Sequence, residues 1–275
     1  MVSQGVAAAP IITMKLTTIE YSFKLLTPCF CGGADNQNAA EMRVPSIRGQ
    51  VRSWHRKIAD VTTVNRIWGS TDGDGGASRV GVICDVLLRP NPALSRACIL
   101  PHKNQGPRSA LSADQVFSLK LQRLIGCSSN DWAAAQNAIK LWLLIGCLGL
   151  RANRAAGSVW PLDTDQTENK WVPQNAAQLG NTLRNLGFRW PVQIIQTPSG
   201  TTSEELRRLA SDTVKDHKLF CNMSPRQPSP TKFKVIEFNG QPHLLVTAPP
   251  SVDLTAARNA LSGSNKAGQF SWQTI

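Results

Sequence analysis

Arginines at helical spacing are the residues of this sequence best suited to binding an anion. If residues 46–57 form a helix, the stripe of Arg48, Arg52 and Arg56 falls at positions i, i+4 and i+8, with His55 beside it. Like charges at this spacing destabilise a helix by about 0.2–0.5 kcal/mol per pair, and the segment has no acidic residue to relieve them. A phosphate backbone would relieve them, because a guanidinium group can pair with two phosphate oxygens at once. A solvated basic face, or ion pairs with distant carboxylates, explains the spacing equally well.

A second candidate anion site is the glycine-arginine segment at residues 146–159. Its glycines allow left-handed backbone conformations, which can aim successive N–H groups at one anion. Arg151 and Arg154 would add positive charge beside such a nest, and Ser158 would add a hydroxyl directly after Gly157. The lysine and serine or threonine of a nucleotide P-loop are absent, so ATP hydrolysis is not indicated. The alternative is a glycine that ends a helix, followed by an ordinary basic turn.

The overall charge favours a polyanionic partner. The chain has 275 residues, with 30 lysines and arginines against 18 acidic residues, and its formal net charge is +12. Nucleic acid is a more common partner of such a protein than a membrane surface. Hydrophobic residues make up 41% of the chain, which is enough for a core and excludes wholesale disorder. No apolar run reaches the length of about 18 residues that a membrane span requires, so we expect no contact with a membrane.

The cysteines and histidines predict neither a disulfide framework nor a metal site. The seven cysteines are an odd number and are scattered over the chain. Cys29 and Cys31 have no second cysteine pair at zinc-finger spacing, and none of the four histidines has the spacing of metal ligands. Buried, reduced thiols are therefore expected, as in a cytoplasmic protein.

The N-terminal half is predicted to place these basic segments among strands and helices. We predict strands at residues 16–26 and 79–88, a helix that begins after Pro45 with Ser46 as its N-cap, a short helix around residues 114–121, and a long helix through residues 132–148 that Asn130 or Asp131 caps. Residues 86–113 contain four prolines and no acidic residue. They predict a long excursion from the domain, such as a projecting hairpin.

The C-terminal half gives weaker patterns. Short helices are predicted at residues 176–186 and 256–262, a solvent-facing helix at 202–218 with Ser203 as its cap, and strands at 232–238 and 243–247. Asn239-Gly240 between these strands is typical of a tight hairpin turn. Strands and helices alternate without regular parallel units, which favours an α+β fold. There is no strict internal repeat, although two related halves could have diverged.

Five segments, in their order along the chain, resemble one known family. They are Thr27-Pro28 with the glycine loop that follows it, the arginine helix from Arg43 to Arg56, Ile67-Trp68-Gly69-Ser70, Ala77-Ser78-Arg79-Val80, and residues 149–159. Together they resemble the RAMP superfamily of CRISPR-associated RNA-binding proteins, and within it the first-numbered subunits of Cmr (type III-B) effector complexes. The likeness is specific over residues 16–161.

The resemblance implies an α+β fold with a ferredoxin-like core related to the RRM. It implies a RAMP-like RNA-binding domain at residues 14–163, and the N-terminal residues 1–13 themselves are typical of a flexible leader. Residues 164–275 then form a C-terminal α+β part, which can hold a second, degenerate RAMP-like module.

The implied function is that of an RNA-binding subunit in a type III CRISPR effector complex. Such a subunit helps to hold the CRISPR guide RNA and to capture complementary target RNA for antiviral defence, next to other RAMP subunits. Guide pairing supplies sequence specificity, so the protein needs only geometry and charge. The residues expected to contact RNA are Arg43, Ser46, Arg48, Arg52, His55, Arg56, Arg151, Arg154, Gly157 and Ser158. The candidate stacking platforms are Phe30, Trp54 and Trp68, although a tryptophan on the apolar face of a helix, such as Trp54, is more often part of a core.

Asp35 is the candidate for catalysis. Related backbone subunits of type III complexes carry an aspartate in this loop that supports metal-dependent cleavage of target RNA. The alternative function is therefore a RAMP ribonuclease, which cleaves target RNA with Asp35 and Mg²⁺ or processes guide RNA. The resembled subunit is a non-cleaving member and this loop sequence is ordinary turn chemistry, so we expect binding without catalysis or cofactor. His55 as a general base lacks a second histidine and an orienting carboxylate.

Overall fold

A computed structural model of the chain describes residues 17–32, 38–71, 76–86, 94–99, 107–163, 171–216, 229–262 and 271–275. The predicted leader and Asp35 lie outside these residues. Within them the chain forms two four-stranded sheets and a two-stranded hairpin. A continuous cluster of buried apolar side chains contains residues from both four-stranded sheets.

The first sheet comes from the N-terminal half. Its region contains β1 (Thr18–Leu25), α1 (Val44–His55), α2 (Val61–Trp68), β2 (Val80–Val86), β3 (Leu94–Ala97), β4 (Arg108–Leu111), β5 (Val116–Arg123), α3 (Ser129–Ile145) and β6 (Val159–Leu162). The strand order is β2-β5-β1-β6, and neighbouring strands are antiparallel. Without the β3–β4 hairpin and α2, the elements follow the βαββαβ pattern of a ferredoxin-like fold. The predicted fold class is confirmed.

Alternating burial explains the register of β1. Tyr21, Phe23 and Leu25 are buried, and the residues between them are not. Phe23 stacks on Phe117 of β5, with 5.4 Å between ring centres, and meets Trp142 of α3 edge-on at 5.7 Å. A shift of one residue would turn these side chains out of the core. Because burying an aromatic side chain stabilises the fold by about 1.5–3 kcal/mol, such a shift is strongly disfavoured.

Residues 116–123 form the strand β5, so the helix predicted around residues 114–121 is wrong. Phe117, Leu119 and Leu121 are fully buried at a spacing of two residues, which is the period of a strand. β5 pairs with β1 on one side and β2 on the other. The β3–β4 hairpin lies within the excursion predicted for residues 86–113, but Leu111 of β4 is fully buried and bridges to Cys29, so this strand packs on the domain rather than projecting from it.

The first arginine-bearing helix begins earlier than predicted. α1 starts at Val44, and Arg43 occupies the N-cap position without a side-chain hydrogen bond. Pro45 lies in the first turn, where its missing N–H has no helical partner to lose. Ser46 is therefore inside the helix, and its prediction as the N-cap is wrong.

Ser128 caps α3, where the sequence predicted Asn130 or Asp131. The Asp131 backbone N–H donates to Ser128 Oγ at 3.0 Å. The Asp131 carboxylate is buried and pairs with Arg66 of α2 at 2.8 Å and with Arg79, next to β2, at 3.2 Å. The Arg66 guanidinium holds the pKa of Asp131 below its ordinary value. These ion pairs connect α2, the start of β2 and the start of α3.

The second sheet repeats the arrangement of the first. Its region contains α4 (Ala176–Asn185), β7 (Val192–Gln196), α5 (Ser203–Asp216), β8 (Lys232–Phe238), β9 (Gln241–Thr247), α6 (Thr255–Ser262) and β10 (Ser271–Thr274). The strand order is β10-β7-β9-β8, again antiparallel throughout. From β7 to β10 the elements again follow βαββαβ, with the same order of strands across the sheet. That this half is a second RAMP-like module stays a prediction.

The β8–β9 connection is the predicted tight hairpin. Asn239 has φ +50° and Gly240 has φ +78°. Two consecutive left-handed residues make the turn whose twist matches that of the flanking strands. The Asn-Gly pair suits it because both residues tolerate this conformation.

α5 has a different cap and a more buried face than predicted. The Glu205 N–H donates to Thr202 Oγ1 at 3.2 Å, and the Thr202 N–H donates to the Glu205 carboxylate at 2.8 Å. This reciprocal pair is a capping box, so Thr202 rather than Ser203 caps the helix. Leu206 and Ala210 are buried, so one face of α5 packs on the protein and the prediction of a solvent-facing helix is only partly right.

Candidate nucleic-acid interface

Two of the three striped arginines hold α1 against α2. Arg48 Nη2 donates to the Trp68 carbonyl, and Arg52 Nη2 donates to Asn65 Oδ1 at 2.6 Å. Both arginines are half-buried, whereas Arg56 is exposed. The side chain of Arg56 has no hydrogen bond or ion pair within the described parts of the chain. Arg56 is therefore the member of the stripe most available to a phosphate.

His55 belongs to the core. It is 1% exposed, and its Nδ1 accepts a hydrogen bond from Trp68 Nε1 at 2.8 Å. Burial lowers the pKa of His55 to about 4, so the ring is neutral near pH 7. Burial argues against both predicted roles, RNA contact and general base, and both stay predictions. The helical spacing did contain the signal, because His55 follows Ile47 by eight residues and shares its apolar face.

The three candidate stacking platforms are buried as well. Phe30 is 3% exposed, Trp54 is 5% exposed and Trp68 is fully buried. A base can stack only on a ring with an accessible face, so burial argues against these three platforms, whose role in RNA binding stays a prediction. The Trp54 ring lies 6.1 Å from the ring of Phe188 and 6.1 Å from that of Trp190.

Arg43 and Ser46 lie at the N-terminal end of α1. Arg43 is exposed, and its Nε is 3.4 Å from the Glu41 carboxylate, which is also exposed. An ion pair in this setting contributes less than about 1 kcal/mol, so a phosphate could replace the Glu41 carboxylate at little cost. Ser46 is half-buried, and its N–H donates to the Arg43 carbonyl. Arg43 remains available for RNA contact.

The glycine-arginine segment is built into the core at Gly157 and Ser158. The Gly157 N–H donates to the Pro28 carbonyl at 2.9 Å, and the Ser158 N–H donates to Thr27 Oγ1 at 3.0 Å. Ser158 is fully buried, and its hydroxyl accepts from the Val235 N–H at 3.0 Å. These groups form hydrogen bonds within the chain, which argues against an anion at Gly157 and Ser158; their predicted RNA contacts stay predictions. Their role is to fix the loop.

Arg151 and Arg154 lie in the turn before Gly157 and Ser158, whose hydrogen bonds fix the loop. Arg151 has φ +61°, and both arginines are half-buried rather than fully buried. The backbone of Arg154 bridges to Phe233 of β8. The loop is thus fixed to both sheets, and its two arginines retain accessible surface.

Lys232 brings the arginine helix and the loop together. Its amine donates to Asn153 Oδ1 at 2.9 Å and lies 5.8 Å from the centre of the Trp54 ring. Lys57, directly after α1, places its amine 5.3 Å from the centre of the Trp190 ring. Sequence reasoning did not select these lysines, because Lys232 is separated by 79 residues from Asn153 and no local pattern reports such a contact.

The described residues contain no cluster of three or more His, Cys, Asp and Glu side chains able to hold a metal ion. Asp35 is outside them, so its candidate role in Mg²⁺-dependent cleavage stays a prediction. No helix in the described ranges has the length and apolar character needed to cross a membrane.

Comparison with protein families identifies a family match for the N-terminal half of the chain. The family model of the RAMP superfamily matches residues 22–160, which is just over half of the chain. No curated protein sequence matches the chain.

Solved structures give further matches. The chain is similar to Cmr1 from Pyrococcus furiosus in its apo form, with 17% identity, a TM-score of 0.57, and coverage of 84% of this chain and 87% of that chain. It is also similar to a chain of the type III-B Cmr-beta complex bound to cognate target RNA, with 10% identity, a TM-score of 0.55, and coverage of 90% and 98%. A structure of the same complex with target RNA, AMPPnP and single-stranded DNA gives 11% identity, a TM-score of 0.57 and the same coverage. At such low identity these similarities support the fold.

Proposed function

This chain belongs to the RAMP superfamily, and we propose from that premise that it is an RNA-binding subunit of a type III CRISPR effector complex. In this role it helps to hold the guide RNA and to capture complementary target RNA for antiviral defence in the cytoplasm. Its other partners are further RAMP subunits. Two of the similar structures are of Cmr complexes bound to target RNA, which supports RNA and effector subunits as partners.

The observation that carries the proposal is the meeting of two basic segments at Lys232. About a hundred residues separate the C-terminal end of α1 from the loop that bears Arg151 and Arg154. The Lys232 amine nevertheless lies 5.8 Å from the centre of the Trp54 ring in α1 and 2.9 Å from Asn153 Oδ1 in the loop. A backbone carrying one phosphate per nucleotide would meet several cations at this place.

Charge imbalance supports a polyanionic ligand. Arg56, Lys57 and Lys232 form no ion pair with a carboxylate in the part of the chain that the structure describes. Among the described residues, no carboxylate is paired with these three cations to offset their mutual repulsion. Phosphates would compensate it, and the counterions released from RNA would drive binding.

We expect the double variant Arg151→Gln, Arg154→Gln to bind single-stranded RNA about tenfold more weakly than the wild type near 0.15 M salt. Each lost phosphate contact should lower the slope of log K against log salt by about 0.7, so the slope should fall by about 1.4. The Tm should stay within about 3 °C, because glutamine keeps part of the length and the hydrogen-bonding capacity of these half-buried side chains. Fluorescence anisotropy of a labelled guide-length RNA over a salt titration gives both quantities.

The double variant Arg208→Gln, Arg258→Gln is the matched control. It removes the same charge from exposed positions on α5 and α6 and should change the salt slope little. An equal fall in both double variants would mean that net charge, rather than the loop, governs binding. If neither the wild-type chain nor its assembled complex bound RNA, the proposed function would be wrong.

A further inference from the structure

Trp190 is the accessible member of an aromatic cluster formed by Trp54, Phe188 and Trp190. The ring of Trp190 lies 6.1 Å from that of Trp54 and 5.7 Å from that of Phe188. Trp54 and Phe188 are 5% and 2% exposed, whereas Trp190 is half-buried. The cluster therefore holds the Trp190 ring in a fixed position and leaves part of its surface open.

Two lysine amines lie beside this ring cluster. Lys57 is exposed, with its amine 5.3 Å from the Trp190 ring centre, and the Lys232 amine lies 5.8 Å from the Trp54 ring centre. Burial lowers the pKa of Lys232, and the positive charge of Lys57 lowers it further. The two positive charges thus lie beside adjacent rings of one cluster. A ligand with a flat ring and a negative charge would complement both the Trp190 ring and the two lysines.

We propose that Trp190, Lys57 and Lys232 form a subsite for one unpaired RNA nucleotide, with its base stacked on Trp190 and its phosphate bound by the two lysines. This subsite rests on the proposed RNA binding and names its stacking position, which the buried Phe30 and Trp68 cannot provide. Stacking of a base on an aromatic side chain strengthens binding without sequence preference. That suits a protein whose sequence specificity comes from guide pairing.

Lys140 and Trp171 make a similar pair elsewhere and provide a matched control. The Lys140 amine lies 5.5 Å from the centre of the half-buried Trp171 ring. Tyr21 contacts that ring edge-on at 6.2 Å. The neighbouring cavity of about 860 Å³ is also lined by Asp163, whose carboxylate would repel a phosphate. A lysine over a tryptophan occurs at both places, and among the described residues a second lysine amine lies only beside the Trp54–Trp190 cluster.

The test measures binding of the full chain to two single-stranded RNAs of about 20 nucleotides. One is ordinary RNA, and the other is an abasic RNA that keeps the phosphates and lacks the bases. Trp190→Leu should bind the ordinary RNA about tenfold more weakly and the abasic RNA as the wild type does. Trp190→Phe, which keeps a ring, should recover most of the affinity. Lys57→Gln should weaken both RNAs and lower the salt slope by about 0.7.

The outcomes separate the subsite from the proposed function. If Trp190→Leu binds ordinary RNA as tightly as the wild type, the subsite is wrong and RNA binding stands. An equal loss for both RNAs also overturns it, because Trp190 would then act through packing alone. A loss of the same size in Trp171→Leu overturns it too, because any lysine-tryptophan pair would have that effect. Failure of the wild type to bind either RNA overturns the proposed function together with the subsite.

Discussion

A Gly157→Ala chain should unfold at a Tm about 10 °C below that of the wild type. Gly157 has φ +62°, where a residue with a side chain costs about 1–2 kcal/mol. An added Cβ would overlap the Leu148 carbonyl. Relief requires movement of a loop that the Gly157 N–H ties to the Pro28 carbonyl at 2.9 Å. Overpacking of this kind costs about 1–3 kcal/mol more, and each kcal/mol lowers the Tm of a chain of this size by about 2–4 °C.

The Gly126→Ala variant separates the cost of a positive φ from the cost of overpacking. Gly126 has φ +80°, but nothing lies within 4 Å of an added Cβ, so this variant should lose only about 1–2 kcal/mol. Thermal unfolding followed by circular dichroism compares the two variants. Equal losses would show that the loop around Gly157 yields easily. Gly157 would then not be held in the core as firmly as its hydrogen bond to Pro28 indicates.

The fold could be predicted where a local sequence pattern is compatible with only one type of secondary structure. The alternation of Tyr21, Phe23 and Leu25 predicts β1, and Asn239-Gly240 predicts the hairpin, because few sequences allow two left-handed residues in a row. Residues 114–121 were ambiguous, since a short apolar run fits a helix or a central strand. Pairing with β1 and β2 on both sides decided it, and no local pattern contains that information.

The site was predictable in its charges but not in its contacts. Sequence reasoning selected the two segments that Lys232 brings together, because arginine spacing and glycine content are local properties. Burial depends on distant partners. Ser158 is enclosed by Val235, 77 residues away, and no spacing within the loop reveals that contact. His55 differs, since its place on the apolar face of α1 was visible in the helical period.

Lys234 is a charged group in the core between the two halves of the chain. It is 1% exposed in β8, and its amine donates to the Leu143 carbonyl at 2.6 Å. That carbonyl belongs to the last turn of α3, where helical partners are lacking and the helix dipole favours a cation. The amine also lies 5.7 Å from the centre of the Trp160 ring. It forms no ion pair with a carboxylate within the described residues.

Burial without an ion pair makes the stability of the folded chain depend on pH. Burial lowers the pKa of Lys234 from its ordinary value of 10.5 to about 7. Between these two values the folded chain binds fewer protons at Lys234 than the unfolded chain, so stability rises with pH across the window. The cost of the buried charge is fully present below pH 7 and is absent above about pH 10.5. A shift of this size corresponds to about 5 kcal/mol at the acidic end.

Replacing Lys234 with methionine should remove this pH dependence. Methionine keeps the length of the side chain and cannot be protonated, so only the wild type should gain stability from the change in pH. The gain of the wild type relative to Lys234→Met should be about 2 kcal/mol between pH 6.5 and 8.5. Urea unfolding at both pH values measures it, because the difference between the two chains cancels the titration of shared groups such as the buried cysteines.

Lys120→Met makes the same chemical change in β5 at a side chain that is 38% exposed. It should follow the wild type at both pH values, because water already solvates that amine. If Lys234→Met follows the wild type as well, Lys234 is charged in the folded chain throughout this range. The Leu143 carbonyl and the Trp160 ring would then stabilise the cation as well as water does, and the junction between the two halves would tolerate a buried charge without loss of stability.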